Sequence, residues 1–123
     1  MNGKSKQEIE SEISKAMKRI LKEQLGEDAK IVKTQIAVDT IIVRFKSILP
    51  PAERHMTRDQ EGAKVMNELK EKLINEVKPL LEAMINKLIN SEVIDIHSSF
   101  DAETDERIEV FTFDKNLENI YFP

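Results

Sequence analysis

Apolar residues recur along this chain with two periods, and the switch between them marks its elements. Ile9, Ile13, Met17, Ile20 and Leu21 stand three or four apart among lysines and glutamates, which is the spacing of one helix face. The pattern predicts an amphipathic helix over residues 5–25. Ser5 and Glu8 fit an S-x-x-E capping box at its start, and Gly26 supplies a left-handed stop. The period then drops to two. Lys30–Val38 is a mixed β-branched run, and Ile41–Ile48 alternates Ile41, Val43 and Phe45 against Ile42, Arg44 and Lys46. Only Asp39-Thr40 lies between them, so an antiparallel hairpin is expected. It lacks the glycine of the strongest hairpin turns, which leaves the turn type open.

The stretch LPPAERHM, residues 49–56, separates this hairpin from the next helical pattern. Pro50 and Pro51 cannot donate to a strand ladder and end the strand, and Pro51 suits a first helical turn. Thr57 and Gln60 fit a second capping box, so the main helix is expected from Thr57 or Arg58 to about Ile89. Val65, Met66, Leu69, Leu73, Ile74, Val77, Leu80, Leu81, Met84, Ile85, Leu88 and Ile89 give it an apolar stripe. Such a helix is on the order of 50 Å long. Pro79 inside it predicts a kink near Asn75–Pro79.

The period returns to two in Val93–Phe100 and Arg107–Phe113, with residues 101–106 as a polar loop. Ile94, Ile96 and Phe100 share one parity. In the last strand Ile108 and Val110 share one face and Phe111 and Phe113 the other, so both faces call for cover, one of them from a partner. The tail DKNLENIYFP ends on Ile120, Tyr121 and Phe122, and an apolar terminus of this kind is expected to dock. The order helix, hairpin, helix, hairpin predicts a two-layer α+β fold (αββαββ). Its four-stranded, mainly antiparallel sheet carries both helices on one face. One domain spans residues 1–123, with a core over about 5–114 and a tail over 115–123.

Composition narrows the function classes. Hydrophobic residues are 40% and charged residues 34%, the balance of a soluble globular domain. Apolar runs are too short for a membrane span, and MNGKSKQEIE lacks the apolar core of a signal peptide. Cysteine is absent, so no disulfide, thiolate nucleophile or zinc-thiolate site is expected, and the reading is cytoplasmic. The net charge of −4 disfavours nucleic acid as a partner. The charge is uneven. Residues 1–64 carry 13 Lys and Arg against 10 Asp and Glu, and residues 65–123 carry 6 against 13. The first half can therefore meet the second half of another copy.

Candidate chemistry is sparse. Glu53 and His55 lie two apart in the proline turn, where an acid–base role would need substrate within reach and a tuned pKa. The plainer reading is an exposed histidine, with Glu53 favouring a helix N-terminus. His97 has Asp95 and Ser99 on its strand face, but a metal site would want further ligands, so a half-buried, hydrogen-bonded strand histidine is expected. The acids at 101, 103, 105 and 106 lack the glycine of a calcium loop and read as a solvated tip. Lysines on the first helix are diluted by Glu8, Glu10, Glu12 and Glu23, which favours packing on the sheet over lying on a membrane. No phosphate loop, nucleophile elbow or aromatic-studded basic strand is present.

Several segments, in their order and spacing, resemble the MpsC family, a small bacterial domain family named for a sodium-translocating, membrane-potential-generating system. They are Ile42–Lys46 (IVRFK), Pro51–Glu53 (PAE), Glu61-Gly62, Lys78–Glu82 (KPLLE), His97 and Glu106–Thr112 (ERIEVFT). The resemblance covers about residues 7–114. The chain departs from the family pattern at Pro50, where threonine is usual, at Ser99, where aspartate is common, and at Asp105, where glycine is common. The resemblance implies a cytosolic accessory protein, associated with a membrane ion or inorganic-carbon system, and names no catalytic residue.

Together these readings predict a non-enzymatic interaction module without a cofactor or metal. It is expected to form a homodimer through its long helices or last strands and to engage subunits of a membrane ion-translocating system. The expected partner surface is Glu53, Arg54 and Glu61 around the turn, with Tyr121 and Phe122 in the tail. The rival is a small-ligand or enzymatic pocket beside the Pro50-Pro51 turn, built from Glu53, His55 and His97.

Overall fold

The computed structural model describes residues 3–47, 49–101 and 103–122, with the side chains of Ile120 and Tyr121 excepted. The elements run α1 (Lys6–Leu25), β1 (Ala29–Ala37), β2 (Thr40–Ser47), α2 (Pro51–Met56), α3 (Gln60–Ile89), β3 (Val93–Asp101), β4 (Glu106–Phe113) and α4 (Leu117–Tyr121). The strands form one antiparallel sheet in the order β1-β2-β4-β3. Two hairpins are thus joined through β2 and β4, the two central strands. The expected α+β fold is present, with α1 and α3 packed on the same face of the sheet.

The core follows the two periods. From α1, Ile9, Ile13, Met17 and Leu21 point inward, and from α3, Ile74, Val77, Leu81, Ile85 and Ile89. The sheet answers with Ile36, Ile41, Val43, Phe45, Phe111 and Phe113. The capping box at the start of α1 forms in both directions, and Gly26 closes the helix at φ 65°.

The details differ from expectation at the start of α3, in β3 and at the first hairpin. The residues after Pro50 form a separate short helix, α2, and α3 is capped by Asp59, which accepts from the Gly62 amide at 2.7 Å. Asp59 accepts within the helical turn while Thr57 Oγ1 donates to the Arg54 carbonyl, so the Thr57–Gln60 capping box does not form. A β-bulge between Val93 and Asp95 shifts the parity of β3, leaving Ile94 exposed while Ile96 packs on the core. The first hairpin turns at Val38-Asp39, one residue earlier than expected. The end of β2 expected at Ile48 lies outside the described residues. Helix α3 continues through Pro79 from Gln60 to Ile89.

The tail docks on its own body. Asn116 caps α4, Leu117 is buried in the core and Phe122 packs against it. The Leu117 amide donates to the Val38 carbonyl at 2.7 Å, and Glu118 accepts from the Val38 amide at 3.1 Å and from Lys6. These bonds clamp Val38, a β-branched residue held at φ 57°. Lys6 and the Val38 amide hold the Glu118 carboxyl below its ordinary value.

Candidate functional site

Strand parity drives charge into one end of the core. In β4 the side chains of Arg107, Glu109, Phe111 and Phe113 share one face, because alternate residues of a strand must. All four are buried, so the inner face is apolar at one end and ionic at the other. The helix above matches it. The inward positions of α3 are Met66, Lys70, Ile74, Val77, Leu81, Ile85 and Ile89, and Lys70 occupies one of them at 6% exposure.

Lys70 Nζ lies 3.1 Å from Glu27 Oε1 and 3.2 Å from Glu53 Oε1. Glu27 precedes β1 and also accepts from the Ser47 hydroxyl at 3.5 Å. Arg107 Nη2 donates to the Lys70 carbonyl at 3.5 Å, and its guanidinium carbon sits 5.2 Å from the centroid of the Phe100 ring. Arg107 Nη1 is 3.6 Å from Glu109 Oε1, an ion pair without a hydrogen bond. Glu109 accepts instead from the Ser98 hydroxyl. Burial pushes the Glu109 carboxyl up to about 7, against the opposing pull of Ser98, Arg107 and Lys78. Glu109 Oε1, Arg107 Nε and Asp105 Oδ1 are buried without a hydrogen-bond partner among the described residues.

Helix α2 is fastened to this network. It buries no residue of its own. Glu53 reaches inward to Lys70, and Arg54 Nη2 lies 2.5 Å from Asp105 Oδ2 in the β3–β4 turn. The Asp105 carbonyl in turn accepts from the Ser47 amide at 3.1 Å. Gly62 completes the fit: a Cβ built there would stand 1.6 Å from the Met56 carbonyl oxygen. The end of α2 therefore rests against the first turn of α3 at a distance only glycine allows.

The candidate residues are distributed unevenly around this centre. Glu53 and Arg54 belong to it, and Glu61 is exposed on the adjoining first turn of α3. An open groove runs beside the α2–α3 junction, from Arg58 past Lys64 to Glu71, with Glu103 on its margin. His55 is exposed on α2. His97 is 76% exposed and not half-buried as expected; its Nε2 is 2.7 Å from Asp95 Oδ2 on the outer face of the sheet. It is exposed because β4 pairs it with Val110, on the face that neither α1 nor α3 covers. The network that holds Glu53 lies on the other face, so Glu53, His55 and His97 do not converge on one pocket. Phe122 is partly buried against the core, and the Tyr121 side chain lies outside the described residues. No group of three or more His, Asp or Glu able to hold a metal ion occurs among the described residues.

Lys70, Glu27, Arg107 and Glu109 are the residues that reading the pattern missed. Their signals were positional: a lysine in the inward frame of α3, and two charges in phase with Phe111 and Phe113. Chemically the arrangement sets acids against bases inside the fold and fixes a charged turn on its surface.

The family described as "Na+-translocating membrane potential-generating system (MpsC)" matches residues 5–115. A protein of Bacillus subtilis (strain 168), "Uncharacterized protein YbcI", is 37% identical over 121 residues, covering 95% of this chain and 98% of that one. No solved structure matches the chain.

Proposed function

The chain belongs to the MpsC family, and from that premise we propose that it is a non-enzymatic cytoplasmic accessory module. It acts as a homodimer and engages subunits of a sodium-translocating, membrane-potential-generating system. Among the described residues no helix is long and apolar enough to cross a membrane, so the contact we propose is made from outside the bilayer.

The observation that carries this reading is the fixing of α2. A six-residue helix with no buried residue has no stability of its own, yet Glu53, Arg54 and Gly62 tie it to the body. The tie leaves His55, Met56, Arg58 and Glu61 exposed on a rigid ridge, and preorganisation of this kind lowers the ordering cost of binding. Among the described residues the acids and bases of the network pair with one another, Lys70 with Glu27 and Glu53 and Arg107 with Glu109, which favours a structural role over a catalytic one.

Affinity capture of the tagged protein from native extract, with detergent-solubilised membranes included, tests the reading. Subunits of an ion-translocating system should be retained and should be released by Glu61→Lys and Arg54→Glu. Retention of the protein alone would overturn the accessory role.

A further inference from the structure

Helices α1 and α3 cover one face of the sheet, and neither packs on the other. The register of the three strand pairs fixes what that outer face presents. One row across β1, β2, β4 and β3 reads Gln35, Ile42, Val110, His97, and the next reads Lys33, Arg44, Ile108, Ser99. The row after that reads Lys30, Lys46, Glu106, Asp101. The centre is thus an apolar strip of Ile42, Ile108 and Val110, each half-buried. The last row carries two cations followed by two anions.

We propose that this face binds the same face of a second copy, with a two-fold axis running parallel to the strands between β2 and β4. The proposal rests on the dimeric reading above and specifies it. Rotation about such an axis exchanges β1 with β3 and β2 with β4. Lys30 then faces Asp101 of the other copy, Lys46 faces Glu106, and Ile42 faces Val110. A row ordered plus, plus, minus, minus is its own complement under this operation alone. An axis across the strands would instead lay it over Ala37, Thr40, Thr112 and Asp95, which offers no anion to Lys30 or Lys46 and sets Asp95 against Asp101.

The size is sufficient. Four strands at about 4.8 Å spacing and eight residues at about 3.4 Å make a patch roughly 19 by 27 Å. That is on the order of 500 Å² per copy, close to the roughly 1,000 Å² total expected of a biological interface. Aligned sheets of this kind stack about 10 Å apart with a modest twist. The dimer also accounts for the apolar outer positions of β4, which lie on the face that neither α1 nor α3 covers.

Complementary charge reversal tests the axis as well as the face. One variant carries Lys30→Glu and Lys46→Glu, the other Asp101→Lys and Glu106→Lys, with circular dichroism as a check on folding. In sedimentation velocity the wild type should be a dimer at micromolar concentration. Each variant alone should lose at least tenfold in self-affinity, because like charges then face each other. An equimolar mixture should regain a heterodimer at near wild-type affinity, which an unfolded variant could not do. Wild type that stays monomeric would overturn the dimeric reading itself. A wild-type dimer that survives in both variants but is broken by Leu69→Glu with Leu80→Glu, on the exposed side of α3, would leave the dimer standing and overturn this face.

Discussion

Lys70 and Glu27 form an ion pair at 3.1 Å with both side chains 7% exposed. Removing one partner of a buried pair leaves the other charge without compensation, at a cost of about 3–5 kcal/mol, whereas an apolar replacement of both is often near neutral. Lys70→Met should therefore lower unfolding stability by on the order of 3 kcal/mol. Lys70→Met with Glu27→Leu should recover most of that loss. Urea denaturation of the two single variants and the double variant measures the coupling, and additive losses would remove the pair from the account.

Gly62→Ala separates steric fit from helix propensity. Alanine gains about 1 kcal/mol over glycine at an open helix position. Here its Cβ would meet the Met56 carbonyl oxygen at 1.6 Å and the carbonyl carbon at 2.7 Å, both of them backbone atoms. Helix α2 must move to admit it. The expected result is a destabilisation of on the order of 1–3 kcal/mol, read by thermal or urea unfolding. A stabilised Gly62→Ala variant would show that α2 does not press on α3.

The contrast between Lys70 and Ile74 shows how far the pattern could be read. Periodicity places both on the inward face of α3, but a hydrophobic count selects Ile74 and skips Lys70. In β4 the same parity that marks Phe111 and Phe113 as inward also holds for Arg107 and Glu109, yet a buried arginine becomes believable only once Phe100 and the Lys70 carbonyl are seen beside it. Long elements and the α1 caps were legible because their signals are local. The strand order, the β3 bulge and the separation of α2 from α3 depend on contacts distant in sequence. Glu53 and Arg54 could be picked out as a charged turn, but their partners Lys70 and Asp105 lie 17 and 51 residues further along the chain.

Those two partners give a prediction about motion rather than global stability. The Arg54 side chain is 50% exposed and that of Glu53 30%, against 14% for Asp105 and 7% for Lys70; the exposed partner screens each pair, so each is worth on the order of 1 kcal/mol. Arg54→Ala and Glu53→Ala should barely change the unfolding midpoint. Since α2 buries nothing, the same changes should free it locally. Amide hydrogen exchange over residues 52–56 should accelerate several-fold in either variant, with α3 beyond Met66 unaffected. Unchanged exchange in both would mean that the prolines and Leu49 hold α2 without the charges.

Glu109 links the network to pH. Its carboxyl is pushed from an ordinary 4.5 to about 7, first of all by burial. A raised acid favours the fold in its protonated form, so this contribution is fully present below about pH 4.5. It is lost as pH rises through about 7 and is constant above that. The shift corresponds to on the order of 3 kcal/mol across the window. Glu109→Gln keeps an acceptor for Ser98 and never ionises. Its stability relative to wild type should therefore rise between pH 5 and pH 8, measured by urea unfolding at both values, while groups elsewhere cancel in the comparison. The opposite slope, with Glu109→Gln more damaging at pH 8, would mean that Arg107 outweighs burial and keeps the carboxylate ionised.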